Sequence, residues 1–316
     1  DVSEPKTAQE KATSLRNSEV VAVSQCAQLR NPDARIAFDE ASNLPLLSTY
    51  AEGLVGLQTS DDPMFVEAFW EIPYVDRTVW EFMQGTPADL RVDAGASWLV
   101  RWEQGKGLLL SLPTAYPTKG LKAVGKSGIA IHRMQALFPY RYERERFHQN
   151  VAVVLPKNER HLPAIWCFCS SPEYNEAVRQ IDQALKVTNA TLVKVPFDLP
   201  RWQQVAAERY PNGLPKPYSD DPTQWLFHGH PQPATDPLQV AVARLAGYRW
   251  PAETDTAMEL ADDARTWIAR CAQLAEHTDD DGILCLPSVR GEAPAHDRLL
   301  KLLIAAWETV QPGSWK

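Results

Sequence analysis

From Leu54 to Phe197 the chain is dominated by short apolar or alternating runs broken by Gly and Pro. They are Val66 to Ile72, Val79 to Met83, Trp98 to Trp102, Leu108 to Leu112, Ile129 to Ile131, Val151 to Leu155, Ile165 to Phe168 and Thr191 to Val195. Alternation with period two turns successive side chains to opposite faces of a strand, and the turn residues between runs mark where each strand stops. Strands at this spacing, without regular intervening helices, predict an α+β fold with a mainly antiparallel mixed sheet.

Helical periodicity enters where that pattern breaks. After Ser171, which can cap, and Pro172, which suits a first turn, Tyr174, Ala177, Val178, Ile181 and Leu185 recur at helical spacing. A second helix is expected after Asp198, with Pro200 early and Trp202, Val205 and Ala206 on one side, packed on the sheet. Residues 1 to 47 are polar and lack a strong apolar period, so they read as a partly helical connector. Between Pro211 and Pro237 seven prolines fall in 27 residues, which argues against continuous secondary structure. Residues 211 to 236 are therefore read as a bridge, pinned by Trp225, Leu226 and Phe227. Beyond it Asp236 and Pro237 open a helix with Leu238, Ala241, Val242 and Leu245 inward and Gly247 at its end. Helices about Thr256 to Leu274 and Asp297 to Val310 follow, separated by the apolar run Ile283 to Leu286. The expected organisation is a sheet domain over 48 to 210 and a small separable helical domain over 237 to 316.

Composition narrows the class. With 316 residues, 44% of them apolar, and a formal charge of −8, the chain is neither a disordered polyelectrolyte nor a uniformly basic nucleic-acid coat. No apolar run approaches the roughly 20 residues of a membrane helix. Five scattered cysteines, an odd number, fit a reduced cytoplasm. Cys167 and Cys169 fall within an apolar run where strand alternation turns both to one face, and they read as buried core thiols. Several of the eleven tryptophans (Trp70, Trp98, Trp102, Trp166) sit in apolar runs and read as core. The chain begins at Asp1 without a signal-peptide pattern and reads as a fragment or processed product.

The charge is uneven, and this changes the picture. Residues 1 to 100 carry 7 Lys/Arg against 16 Asp/Glu, residues 101 to 160 carry 11 against 4, and residues 161 to 316 carry 14 against 20. The middle is a basic island: Lys119, Lys122, Lys126, Arg133, Arg141, Arg144 and Arg146, mixed with Gly120, Gly125, Gly128 and three tyrosines. Such a segment suits a surface that follows phosphates, and equally suits an ordinary solvated face. No Gly-rich phosphate loop, HExxH or GxSxG occurs. His228 and His230 lie near Asp220 and Asp221, but spacing specifies no third ligand, so no metal site is assigned. Asp61, Asp62 and the run Asp279 to Asp281 read as turns or caps.

One segment stands apart: Gly56-Leu57-Gln58-Thr59-Ser60-Asp61-Asp62-Pro63-Met64-Phe65. It resembles the Gly-Leu-x-Thr-Gly-Asp-Asn-x-x-Phe motif that opens the target-recognition region of large bacterial adenine-specific DNA methyltransferases, among them type IIG restriction-modification enzymes and the BREX and DISARM phage-defence methylases. This chain has Ser60 in place of Gly and Asp62 in place of Asn. Trp80 to Gly85, Trp98 to Glu103, Gly128 to Ala130, Leu162 to Ser171 and Val187 to Phe197 resemble further family elements in the same order, so the likeness covers roughly residues 48 to 200. The cofactor-binding Gly-rich segment and the Asn/Asp-Pro-Pro-Tyr/Phe motif of the family's catalytic half do not occur here. A flipped adenine must be stacked and its amine bonded while a methyl donor approaches, so the chain is not expected to methylate alone.

The resemblance implies a target-recognition domain followed by a helical tail. It would bind double-stranded DNA and present the site to a separate catalytic domain of a parent that uses S-adenosylmethionine, itself holding no cofactor and no catalytic residue. Candidate DNA-binding residues are Thr59, Ser60, Asp62, Lys119, Lys122, Lys126, Ser127, Arg133, Arg141 and Arg144. Other defence-system subunits are further candidate partners. The alternatives are a self-contained hydrolase using Asp61, Asp62 or His228, and a protein-binding adaptor with a Trp-rich surface.

Overall fold

The computed structural model describes residues 7–18, 22–29, 31, 34, 44–86, 95–134, 137–214, 229–234, 236–256, 260 and 262–315. One helix, α1 (Ala8–Asn17), lies in the polar N-terminal stretch, and two four-stranded sheets form the centre. In the first, β1 (Ala51–Val55), β8 (Val151–Pro156), β5 (Ser127–His132) and β6 (Pro139–Glu143) lie side by side, all antiparallel. In the second the order is β2 (Val66–Ala68), β4 (Trp98–Arg101), β3 (Trp80–Gln84) and β7 (Arg146–Phe147), with only β3 and β7 parallel. The α+β fold on mainly antiparallel sheets is as the sequence pattern implies.

Register decides which core each residue joins. On β5 and β8, Ile129, Ile131, Ala152 and Val154 face one side, while Ala130, Val151, Val153 and Leu155 face the other. The first side is covered by α2 (Leu162–Cys169), α3 (Pro172–Ile181) and α4 (Leu199–Arg209). The second, continued on β6 by Tyr140 and Tyr142, is covered by Ala123 of the loop 114–126 and by Phe147. Both faces are dry, which is why β8 reads as an unbroken apolar run.

Two of the helices follow the expected grammar. Ser171 caps α3 by accepting the Tyr174 N–H, and Asp198 caps α4 through the Arg201 N–H. Other expectations are corrected. Ile165 to Cys169 is the body of α2, not a strand: Pro163 starts it, and burial on all sides makes its sequence uniformly apolar, so no period shows. Cys167 and Cys169 are nevertheless buried thiols, and burial pushes both up. Leu108–Ser111 and Thr191–Val193 are 3-10 turns. The strand from Val66 stops at Ala68, where Glu71 accepts the Ala68 N–H at 2.8 Å and starts a turn. Leu185 lies past the end of α3 and is exposed.

The tail contains α5 (Pro237–Leu245), α6 (Asp262–Ala272) and α7 (Ala295–Val310). The inward face of α5 is Val240, Ala241, Ala243, Arg244 and Leu245; of the four residues expected inward, Ala241 and Leu245 are buried, while Leu238 and Val242 are exposed. Ile283 and Leu286 are likewise exposed. Val240, Ala243, Tyr248 and Trp250 pack with Phe69, Phe82 and Leu99 of the second sheet and its flanking turn, so the tail and the sheet share a core. Residues 215–228 and 235 of the expected bridge, among them Asp220, Asp221, Trp225, Leu226 and Phe227, lie outside the described residues.

Candidate functional site

The two sheets meet at a seam, and the seam gathers the polar groups. The chain leaving β7 is bonded to both halves: Leu57 N–H donates to the Phe147 carbonyl, His148 N–H to Gln84 and Gln149 N–H to Leu57, at 2.8 to 2.9 Å. Gly56 permits this approach, because a Cβ there would stand 2.0 Å from the Phe147 oxygen. Over the seam opens a cleft of about 350 Å³. Val66, Met83 and Trp98 of the second sheet are its apolar lining, and Asp62, Pro63, Thr86, His148 and Asn150 its remaining wall. Gly85 closes one side against the Trp98 indole, which a Cβ would meet at 2.4 Å.

Asp62 is held by two buried donors. Thr59, fully buried, donates its hydroxyl to the carboxylate, and His148 Nε2 lies 3.1 Å from Oδ2. His148 Nδ1 accepts the Asn150 N–H at 3.3 Å, so the network assigns the ring proton to Nε2, which donates to Asp62. Half of the Asp62 side chain remains open. With both ring nitrogens engaged, His148 is no free base. Among the described residues, no cluster of three or more His, Cys, Asp or Glu is placed to hold a metal ion. His230 is buried against Trp267, its Nδ1 accepting the Gln232 N–H, and His228 lies outside the described residues.

The segment carrying Asp62 is tied to the basic loop. Ser60 has φ +67°, the left-handed region that favours Gly, and its hydroxyl donates to the Thr114 carbonyl. Gln58 pairs with Tyr116. Lys119, Lys122 and Lys126 are all exposed along the loop that follows. Lys119 lies 4.1 Å over the Tyr116 ring, and Lys122 pairs with Glu52, holding that carboxyl below its ordinary range. Arg144, exposed at φ +73°, joins the loop end through backbone bonds with Gly125 and Lys126.

The rest of the island is spent within the molecule. Arg133, at the far end of β5, donates to the Val187 and Gln149 carbonyls at 2.8 and 3.1 Å, and burial pulls its guanidinium down. Arg141 pairs with Glu143, which also accepts from Ser127 at 2.9 Å. Opposite Ile129 in the register, Arg141 faces the helix-covered side, away from the lysines. Arg146 is buried between Glu81 and the Trp102 ring.

Comparison of the chain with models of known protein families, and with curated proteins, finds no match.

Arg77, which sequence reading did not single out, is exposed and extends the basic surface, while the Arg249 guanidinium near it donates to the Gly247 and Tyr248 carbonyls and to the Thr278 hydroxyl. Arg77 lines a groove of about 210 Å³ with Arg144 and Glu145, and also an adjoining one of about 290 Å³ with Tyr74 and Arg249. Burial pushes the Glu145 carboxyl up to about 8. No local signal marks this juxtaposition, because it joins positions far apart in the chain.

Proposed function

We propose that the chain is the DNA target-recognition part of an adenine-specific DNA methyltransferase of restriction-modification or phage defence. It binds duplex DNA and presents the site to a separate catalytic domain, which supplies S-adenosylmethionine. The reading is supported above all by the junction at the seam. The motif-bearing segment Gly56–Phe65 is bonded to the loop that carries Lys119, Lys122 and Lys126, with Ser60 in the backbone conformation that the motif's Gly adopts without strain. Exposed cations on one loop, with Arg144 bonded to its end and Arg77 beside Arg144, suit a phosphate backbone. The hydrolase reading lacks support in the cleft, where the His148 nitrogens are both engaged.

The test is binding of the purified chain to mixed-sequence duplex DNA across a salt series. Binding whose logarithm falls steeply and linearly with the logarithm of salt is expected. Turnover of an ester or phosphodiester without a partner, and no DNA binding at low salt, would overturn the reading.

A further inference from the structure

The Asp62 carboxylate is built with more care than a surface turn requires. Thr59 and His148, both buried, spend hydrogen bonds on it, and His148 is itself fixed by the Asn150 N–H. The result is a carboxylate whose orientation is set in advance while half its side chain stays open at the cleft. Beside it the cleft offers an indole, Trp98, with Met83 and Val66 as further apolar lining. Gly85 keeps room for that indole, since any larger residue would collide with it. At about 350 Å³ the cleft falls within the range of small-ligand sites, whose usual make-up is an apolar lining with a few fixed polar groups.

We propose that this cleft is a binding site for one planar, amino-bearing heterocycle, of the nucleobase class. The ring lies against Trp98 and the amine donates to the open face of Asp62. The chemistry selects this class. An aromatic surface favours a flat π-system, and an ionised carboxylate only accepts hydrogen bonds, so it rewards an N–H donor and repels a carbonyl at the same place. The inference does not require the DNA reading; that reading bears only on whether the base arrives free or as part of a strand.

Adenosine and purine riboside differ in the amine alone, and so they isolate the contact to Asp62. Saturation-transfer NMR on the whole chain should show adenosine binding about tenfold more tightly than purine riboside, as expected for one charge-assisted hydrogen bond. In Asp62→Asn the carboxamide oxygen takes the bonds from Thr59 and His148 and turns its NH2 outward, so the preference for adenosine should vanish. Gly85→Ala, which displaces the indole without touching Asp62, and Trp98→Phe, which shrinks the aromatic surface, should each weaken both ligands together and leave the preference for adenosine in place. A second arm uses a duplex with one bulged adenine against the same duplex with a bulged purine. The amine preference in both arms assigns the site to a strand's base; in the nucleoside arm alone it assigns it to a free heterocycle. Equal binding of adenosine and purine riboside, or a preference that survives Asp62→Asn, overturns the proposal even if duplex DNA binds elsewhere.

Discussion

Replacing Trp250 by Ala tests how the tail is joined to the sheets. Trp250 is fully buried, with its ring 4.7 Å from Tyr248 and 6.0 Å from Phe69, in the core that also holds Phe82 and Leu99. Truncating a core aromatic costs about 3–5 kcal/mol, from lost burial and the cavity left behind. Among the described residues the Trp250 Nε1–H has no acceptor, so its removal also relieves a buried unpaired donor, which places the net cost near the lower end, about 3 kcal/mol. Because the core is shared, the loss should be felt on both sides of the bridge. Urea unfolding should show a midpoint lowered by about 1 M or more. Native-state hydrogen exchange should show faster opening of the Phe82 and Leu99 amides as well as those of α5. A cost below about 1 kcal/mol, or a loss confined to the tail, would refute the shared-core argument.

Three further outcomes are expected. Mutating Lys119, Lys122 and Lys126 together to Ala should weaken binding to all duplexes alike and flatten the salt slope by up to about 0.9 per lost contact, with Lys122 contributing least because it is paired with Glu52; fluorescence anisotropy over a salt series checks this. Burial raises the Glu145 carboxyl to about 8, above its unfolded value, so the folded state holds the extra proton between these limits: this stabilisation is complete below the unfolded value and is lost as pH rises through about 8. Glu145→Gln should therefore flatten the fall in stability between pH 5 and pH 8, as measured by urea midpoints. The purified chain alone should give no calorimetric signal of tight S-adenosylmethionine binding, and a tight signal would contradict the division of labour proposed.

How far the sequence was legible depended on what each residue faces. β3, β4, β5 and β8 could be read because their apolar runs lie between turn residues, and α3 and α4 because Ser171 and Asp198 mark where they begin. α2 was not legible as a helix, since burial on every side erases the period that separates helix from strand. β1 was missed because Glu52 and Gly53 interrupt it; Gly53 is needed where the Asn189 carbonyl passes 2.1 Å from a would-be Cβ. At the site, the Gly56–Phe65 segment and the lysine loop were visible locally. His148, Arg77 and Arg249 were not, because their meaning comes from neighbours contributed by distant parts of the chain. Arg133 and Arg141 looked available in sequence, yet the fold occupies them with its own carbonyls and carboxylate.

Hydrogen-exchange footprinting of the whole chain with and without duplex DNA decides whether the lysine loop and the segment bonded to it form a DNA-binding face. Backbone amides in the loop 114–126 and in residues 60–64 should be protected, with the protection lost as salt is raised and the amides of α2 and α3 unchanged. Saturating duplex that leaves both segments unprotected, or that protects only the helix-covered side of the first sheet, would rule that face out.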